Sequence, residues 1–314
     1  MPEITAIDRK MMRRAIQLAR NGRMDTSPNP MVGCVIAVGD RIIGEGYHRR
    51  CGEGHAEVNA VASVTDESEL KDATAYVTLE PCSHYGKTPP CARLLIDKGL
   101  KRVVIGLGDP NAKVNGRGVA MLREAGIEVV TGVLEEECRA INPHFMKAFS
   151  ADRPYVTLKW AQSADGYMDV KRDASEAAFV FSTPIHRAVV HRMRATHDAI
   201  MVGKNTAELD RPSLTVRYWA GSNPRRIIAD GHESVAEMLC RLRAEGVTSL
   251  LVEGGAALLR SFIDSGLWDE ARIEVAPEEL GDRGSTKAPL IPAMPESVAT
   301  IDSHKVLSYR NLWR

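Results

Sequence analysis

A chain of 314 residues is too long for one typical core and implies two domains. Its 41 basic and 41 acidic side chains cancel, so composition carries no basic footprint of a nucleic-acid binder, although a local basic pocket for one phosphate stays open. No apolar run approaches the roughly 18 residues a membrane helix needs, the N-terminus lacks a signal-peptide core, and six cysteines are too sparse for a secreted disulfide framework. The expected compartment is cytoplasmic, with cysteines serving packing and metal binding.

In chain order, Asp8 before Met11, Met12, Ala15, Ile16 and Ala19 reads as the N-cap of an amphipathic helix. MVGCVIAVGD and RIIGEGYH read as two strands joined by a Gly39-Asp40 turn, with Cys34 buried. GHAEVNAVASV predicts a helix, ATAYVTLE a strand, CARLLIDKG a helix ending at Gly99, and KRVVIGLGDP a strand. VAMLREAG and IEVVTG repeat the pattern, and Cys138 and Cys240 fall in helix-like segments without assigned chemistry. Such alternation predicts an α/β layered domain. At Pro154 the pattern restarts with YVTLKWAQSADG and continues through HDAIMVG, RRIIAD and SLLVEGG, which places the domains at 1–148 and 149–314.

The chemistry concentrates in two stretches of the first half, His55-x-Glu57 and EPCSHYGKTPPC, which holds Cys82 and Cys91. One imidazole and two thiolates form a catalytic zinc set with one position open for water. Zinc acidifies that water, and a carboxylate beside the ion can carry its proton to a leaving amine. His55 at the leading edge of its helix could then turn to the metal while Glu57 reaches the water. The expectation is zinc on His55, Cys82 and Cys91, with Glu57 catalytic. Three duller readings stay open: an unrelated His–Glu pair, two packed thiols, or a closed structural site with Cys51 as fourth ligand.

SPNPMVGCVI, GYHRRCGEGHAEVNA, TLEPCSHYGKTPPC and GDPNAKVNGRG together resemble the deaminase half of bifunctional riboflavin-biosynthesis deaminase/reductases. The eight residues between Cys82 and Cys91 set this spacing apart from cytidine and tRNA adenosine deaminases. The resemblance implies a cytidine-deaminase-like α/β/α fold. It also implies pyrimidine or ribose-phosphate contacts from Asn29, His48, His84 and Lys87, with Asp109, Asn111 and Asn115 on a capping loop. Ala112 departs from the proline relatives carry after DPN.

The second half lacks a GxGxxG motif opening a helix, but SLLVEGGAALL reads as strand, Gly-Gly turn and helix, an arrangement suited to phosphate. VTLKWAQSADGYM, VHRMRATHDAIMVGKNTAELDRPSLTVR and LLVEGGAALLRSF resemble the reductase half of the same family. That implies a dihydrofolate-reductase-like fold and NADPH reducing a ribosyl to a ribityl chain. Matched positions assign Thr206, Asp210, Gly254, Gly255, Ala256 and Ala257 to the cofactor, and Arg194, Leu214, Arg217 and Glu253 to substrate. Lys159, Ser163 and Asp165 occupy the opening strand and turn.

Two departures stand out. Val180 replaces the tryptophan of a WIT-like segment, and only 22 residues separate Asp230 from Glu253, where relatives carry another strand. The expected enzyme therefore binds zinc, NADPH and a phosphorylated pyrimidine, and the family suggests dimers or larger. The alternatives are an active deaminase with a degenerate reductase half, an RNA-base deaminase with a binding module, and a non-catalytic scaffold with structural zinc.

Overall fold

The computed structural model describes residues 3–84, 89–111, 114–173 and 176–311. Its chain divides into two compact units, Met1–Ala151 and Asp152–Arg314. The first contains α1 (Ala6–Ala19), β1 (Gly33–Val38), β2 (Arg41–Tyr47), α2 (Ala56–Ala62), β3 (Thr74–Leu79) and α3 (Cys91–Asp97). It continues with β4 (Arg102–Leu107), α4 (Arg117–Glu124), β5 (Glu128–Thr131), α5 (Glu135–Ile141) and α6 (Pro143–Ser150).

These strands form one sheet in the order β2-β1-β3-β4-β5, antiparallel on both sides of β1 and parallel from β3 to β5. Successive strand residues face opposite sides, and both sides are apolar. Cys34 and Ile36 join Val77, Ile105 and the α2 alanines in one core. Val35 and Ala37 join Met11, Met12 and Ala15 of α1 in the other. A sheet covered by helices on both faces is the layered α/β domain the alternating pattern predicts, in the α/β/α form the resemblance implies.

One expected cap moves. Thr5, not Asp8, caps α1: its hydroxyl accepts the Asp8 amide at 3.1 Å, and the Asp8 carboxylate accepts the Thr5 amide at 2.9 Å. Asp8 thus completes a reciprocal capping box from inside the helix. It is also buried against Arg102, which binds both its oxygens at 2.5 and 3.1 Å.

The second unit contains β6 (Tyr155–Gln162), β7 (Tyr167–Val170), α7 (Pro184–Ala195), β8 (Ala199–Gly203), α8 (Lys204–Leu209), β9 (Arg225–Ala229) and α9 (Val235–Ala244). It ends with β10 (Ser249–Gly254), α10 (Ala256–Ser265), β11 (Glu270–Val275), β12 (Gly284–Lys287), β13 (Ser297–Ile301) and β14 (His304–Arg310). Seven strands form a sheet in the order β13-β14-β11-β6-β10-β8-β9, parallel from β11 to β9, and β12 pairs separately with β7.

One face carries Val156, Leu158, Met201, Val252 and Ile273 against Leu239, Leu259 and Phe262 of α9 and α10. The other presents Thr157, Lys159, Glu253, Glu270 and Glu274 toward α7 and the residues that follow it. The bonds Arg194–Glu253 and His197–Thr157 carry that contact. Past β9 the chain passes directly into α9, capped by Ser234 and Glu237, so β9 is a sheet edge.

Candidate active sites

In the first unit, His55 is the N-cap of α2, with extended backbone (φ −68°, ψ 169°), so its imidazole leaves the helix while Glu57 lies inside the first turn. Gly46 of β2 lets α2 settle this close, since a Cβ there would meet the Ala60 nitrogen at 2.3 Å. Cys82 follows β3 after Glu80 and Pro81, and Cys91 opens α3. The His55 Nδ1 lies 3.6 Å from the Cys82 Sγ and 3.3 Å from the Cys91 Sγ. The Cys91 amide also donates to the Cys82 Sγ at 3.2 Å, which favours its thiolate.

These separations suit zinc, whose bonds to sulfur and nitrogen are about 2.3 and 2.0 Å. Cys51 is exposed and stands outside this cluster, which among the described residues holds three ligands. Glu57 is buried at 3% exposure, and its carboxyl is pushed up to about 7, chiefly by burial and then by the Cys82 charge. A bound dication beside it acts in the opposite direction.

Asn29 and His48 come together beside this cluster. The His48 Nε2 is 3.2 Å from the Asn29 amide nitrogen and Nδ1 is 3.1 Å from the Gly54 carbonyl, so Nδ1–H donates and Nε2 accepts. Burial lowers the pKa of this imidazole and favours that neutral form, and its ring meets the His55 ring edge-on at 5.4 Å. His84 is exposed, and Lys87 lies outside the described residues. Burial pushes the Asp109 carboxyl up to about 6, partly offset by the Asn111 amide and, to a smaller extent, by His84. Its oxygen accepts the Asn111 amide at 2.8 Å, whereas Asn115 is exposed.

Sequence reasoning missed Glu80. Its buried carboxylate accepts from the amides of Asp109 (3.4 Å), Gly116 (2.9 Å), Gly118 (2.9 Å) and Val119 (3.2 Å). It thereby fastens the loop carrying Asp109 to the strand end that carries Cys82. The only local signal is an acid directly after an apolar strand.

In the second unit, Gly255 has φ +78° and begins the ten-residue α10, whose first amides have no side-chain cap among the described residues, an arrangement suited to an anion. A Cβ on Gly255 would lie 3.3 Å from the Thr206 Oγ1, and one on Gly254 would lie 3.3 Å from the Thr206 Cγ2. Thr206 therefore sits against the Gly-Gly turn, with Ala256 and Ala257 in the first turn beyond it. Asp210 closes α8 and is ion-paired with Arg172.

Arg194 grips Glu253 in a bidentate pair at 2.8 and 2.7 Å and donates to the Thr215 carbonyl at 3.1 Å. Arg217 donates to Ser213 and, at 2.9 Å, to Thr215. Leu214 has φ +54°, and its side chain is buried with Ile200, Val202 and Leu251. His191, also missed, accepts the Arg217 amide at 2.7 Å, a role suited to the neutral ring that burial favours.

Asp165 accepts the Ser163 hydroxyl (2.6 Å) and the amides of Leu280 (3.0 Å) and Gly281 (2.8 Å), so both side chains tie down a turn. Lys159 is half-buried near Glu253 and Glu274, and burial lowers its pKa. Val180 is exposed at 67%. At the end of β9 a cavity of about 350 Å³ opens between Ile228, Asp230, His232, Met238 and Arg241.

Fold and sites together define a two-domain enzyme that joins a zinc-type deaminase to a reductase. Residues 5–107 match the cytidine and deoxycytidylate deaminase zinc-binding region, and residues 154–238 and 234–294 match the RibD C-terminal domain. The chain belongs to the RibD family, the bifunctional deaminase/reductases of riboflavin biosynthesis. It is 38% identical to the riboflavin biosynthesis protein RibD of Actinobacillus pleuropneumoniae, over 91% of this chain and 88% of that one. With RibD of Escherichia coli (strain K12) it shares 35% over 87% and 89%. Acinetobacter baumannii RibD (form 2) superimposes with a TM-score of 0.88 at 33% identity, over 97% and 98% of the two chains. A diaminohydroxyphosphoribosylaminopyrimidine deaminase/5-amino-6-(5-phosphoribosylamino)uracil reductase of Thermotoga maritima superimposes at 0.85, with 33% identity over 97% and 99%.

Proposed function

We propose that the first unit hydrolytically deaminates a diamino-ribosylaminopyrimidinone 5'-phosphate and that the second reduces the ribosyl chain of the product with NADPH. The observation that carries this reading is the convergence of His55, Cys82 and Cys91 with Glu57 buried beside them. The nitrogen and two sulfurs fit zinc. When bound, zinc supplies a water acidic enough to lose its proton near neutrality. Glu57 takes that proton and passes it to the departing amine, which calls for a carboxyl that exchanges protons near pH 7. Asn29 reads the pyrimidine edge, held in register by His48. His84 and Lys87 are assigned to the ribose phosphate by resemblance, and Asp109 sits on the loop that caps the substrate.

In the second unit the Gly254-Gly255 turn and the first amides of α10 fit the pyrophosphate of a nicotinamide cofactor, with Thr206 closing the turn and Asp210 at the end of α8. When bound, NADPH supplies a hydride to the sugar's C1. The cavity beyond β9 lies at the same ends of the parallel strands and suits the adenosine portion. Arg217 and the Leu214 backbone hold the substrate phosphate, while Arg194 holds Glu253 toward the sugar. The expected setting is the cytoplasm.

Ammonia release and NADPH oxidation followed together on the phosphorylated pyrimidine test both steps. The expected result is one ammonia released and one NADPH oxidised per substrate. Ammonia with no NADPH loss removes the second assignment, and no ammonia from zinc-loaded protein removes the first.

A further inference from the structure

A second group of metal-ligand side chains lies in the second unit, apart from the glycine turn. His186 is near the start of α7, Glu274 is in β11 and His304 opens β14; they are 2, 2 and 4% exposed. The His304 Nδ1 lies 2.8 Å from a Glu274 oxygen, and the His186 Nδ1 lies 3.7 Å from the same oxygen. The other Glu274 oxygen accepts the Ser182 hydroxyl at 2.6 Å, and Thr183 Oγ1 is 3.0 Å from the His186 Nδ1. The His186 Nε2 is buried with no hydrogen-bond partner among the described residues. A buried polar atom left without a partner costs about 1–3 kcal/mol, so a rotation of this ring that gives Nε2 a partner is favourable.

Two imidazoles and a carboxylate from three separate elements make the His2Glu donor set that zinc takes. The distances of 2.8 and 3.7 Å bracket the separation expected of the ligands. Two donors about 2.1 Å from a tetrahedral ion stand roughly 3.4 Å apart. The hairpin turn before His304 puts Asp302 and Ser303 at φ +47° and +66°, the left-handed positions of a two-residue turn normally given to Asn and Gly.

We propose that His186, Glu274 and His304 bind a divalent transition-metal ion of the zinc class, which clamps α7 to β11 and β14. The two rings lie nearly parallel, 23° apart with centroids at 4.8 Å, and cannot both hold one ion in their planes. Binding therefore turns the His186 ring out of the stack at the cost of its Thr183 contact, and it gives the unpartnered side of that ring a new environment.

The test uses the full chain purified without chelator and then titrated with Co2+ after metal removal. Wild type is expected to take about two equivalents. One should give thiolate-to-cobalt charge-transfer absorption and the other only visible d–d bands. His304→Gln should lose the second signal alone. Cys82→Ser/Cys91→Ser should lose the first and still bind one equivalent. A wild-type stoichiometry of one, with every cobalt band carried by the thiolate site, overturns the proposal and leaves a hydrogen-bonded His–Glu–His stack. Because the two signals differ, failure here is distinguishable from failure of the deaminase centre, and the wild-type titration decides even where a variant does not fold.

Discussion

The sheets of the two units differ in what they bury. In the first, both faces are apolar, and the reactive groups stand off the sheet, on the lip of α2 and the loop from β3 to α3. In the second, one face is apolar and the other mixes a small apolar cluster of Ile200, Val202 and Leu251 with Thr157, Lys159, Glu253, Glu270 and Glu274 under α7. A buried charge must be paired to be tolerated, so the second unit commits its polar residues to one another across the fold. The first keeps its core indifferent to the chemistry at its edge. Substitutions at the first site should therefore change activity with little effect on folding, whereas substitutions on the polar face of the second should disturb both.

The largest expected effect breaks function alone. Glu57→Gln should lower kcat for ammonia release by about 10²–10⁴, the range for a lost proton shuttle, with zinc content and thermal midpoint near wild type. A midpoint falling in parallel with kcat would contradict the separation of core and site. On the polar face, Glu253→Gln leaves the half-buried Arg194 guanidinium without its counter-charge and should cost about 1–3 kcal/mol in denaturant unfolding of the second unit. It should reduce NADPH oxidation as well.

Glu80→Ala should cost roughly 2 kcal/mol, since it strips the amides of the 109–119 loop of their shared acceptor. It should raise the deaminase KM more than it lowers kcat. Glu80→Gln, which keeps an acceptor oxygen, should recover part of both. The smallest effect is at the turn. Gly255→Ala forces a side chain into φ +78°, 3.3 Å from Thr206, and should cost about 1 kcal/mol while weakening cofactor binding in a direct titration.

A pH experiment probes a buried ion pair of the first unit that ties a helix start to the sheet. Burial alone would raise the Asp8 carboxyl, but Arg102 and Thr5 outweigh it and hold it below 3.8. A depressed folded value means that the stabilisation is fully present above the ordinary carboxyl range and is lost as pH falls through the lower folded value. The stability gap between wild type and Asp8→Asn should thus be constant from neutrality to about pH 5, then close in acid.

Legibility followed locality. The β1–β2 hairpin was readable because Gly39-Asp40 stands between two apolar runs, and α2 because His55, Ala56 and Ala60 fall at helical spacing. Asp8 was misplaced because T-x-x-D offers two possible caps, and only Arg102, 94 positions away, shows what else holds its carboxylate. The β13–β14 hairpin turns on Asp302-Ser303, which lacks the Asn-Gly signature, so nothing local announces it.

By itself the sequence settled which atoms were available for chemistry: two thiols and an imidazole near a glutamate, and a strand running into paired glycines. Residue type and short spacing carry that information because ligand preference and turn geometry are properties of a few adjacent residues. The tertiary structure decided which groups meet. It paired Arg194 with Glu253, hung the Asp109 loop on Glu80, and gathered His186, Glu274 and His304 from three elements. Those meetings depend on strand register and helix docking, which are set by the packing of the whole unit, and no local pattern encodes them.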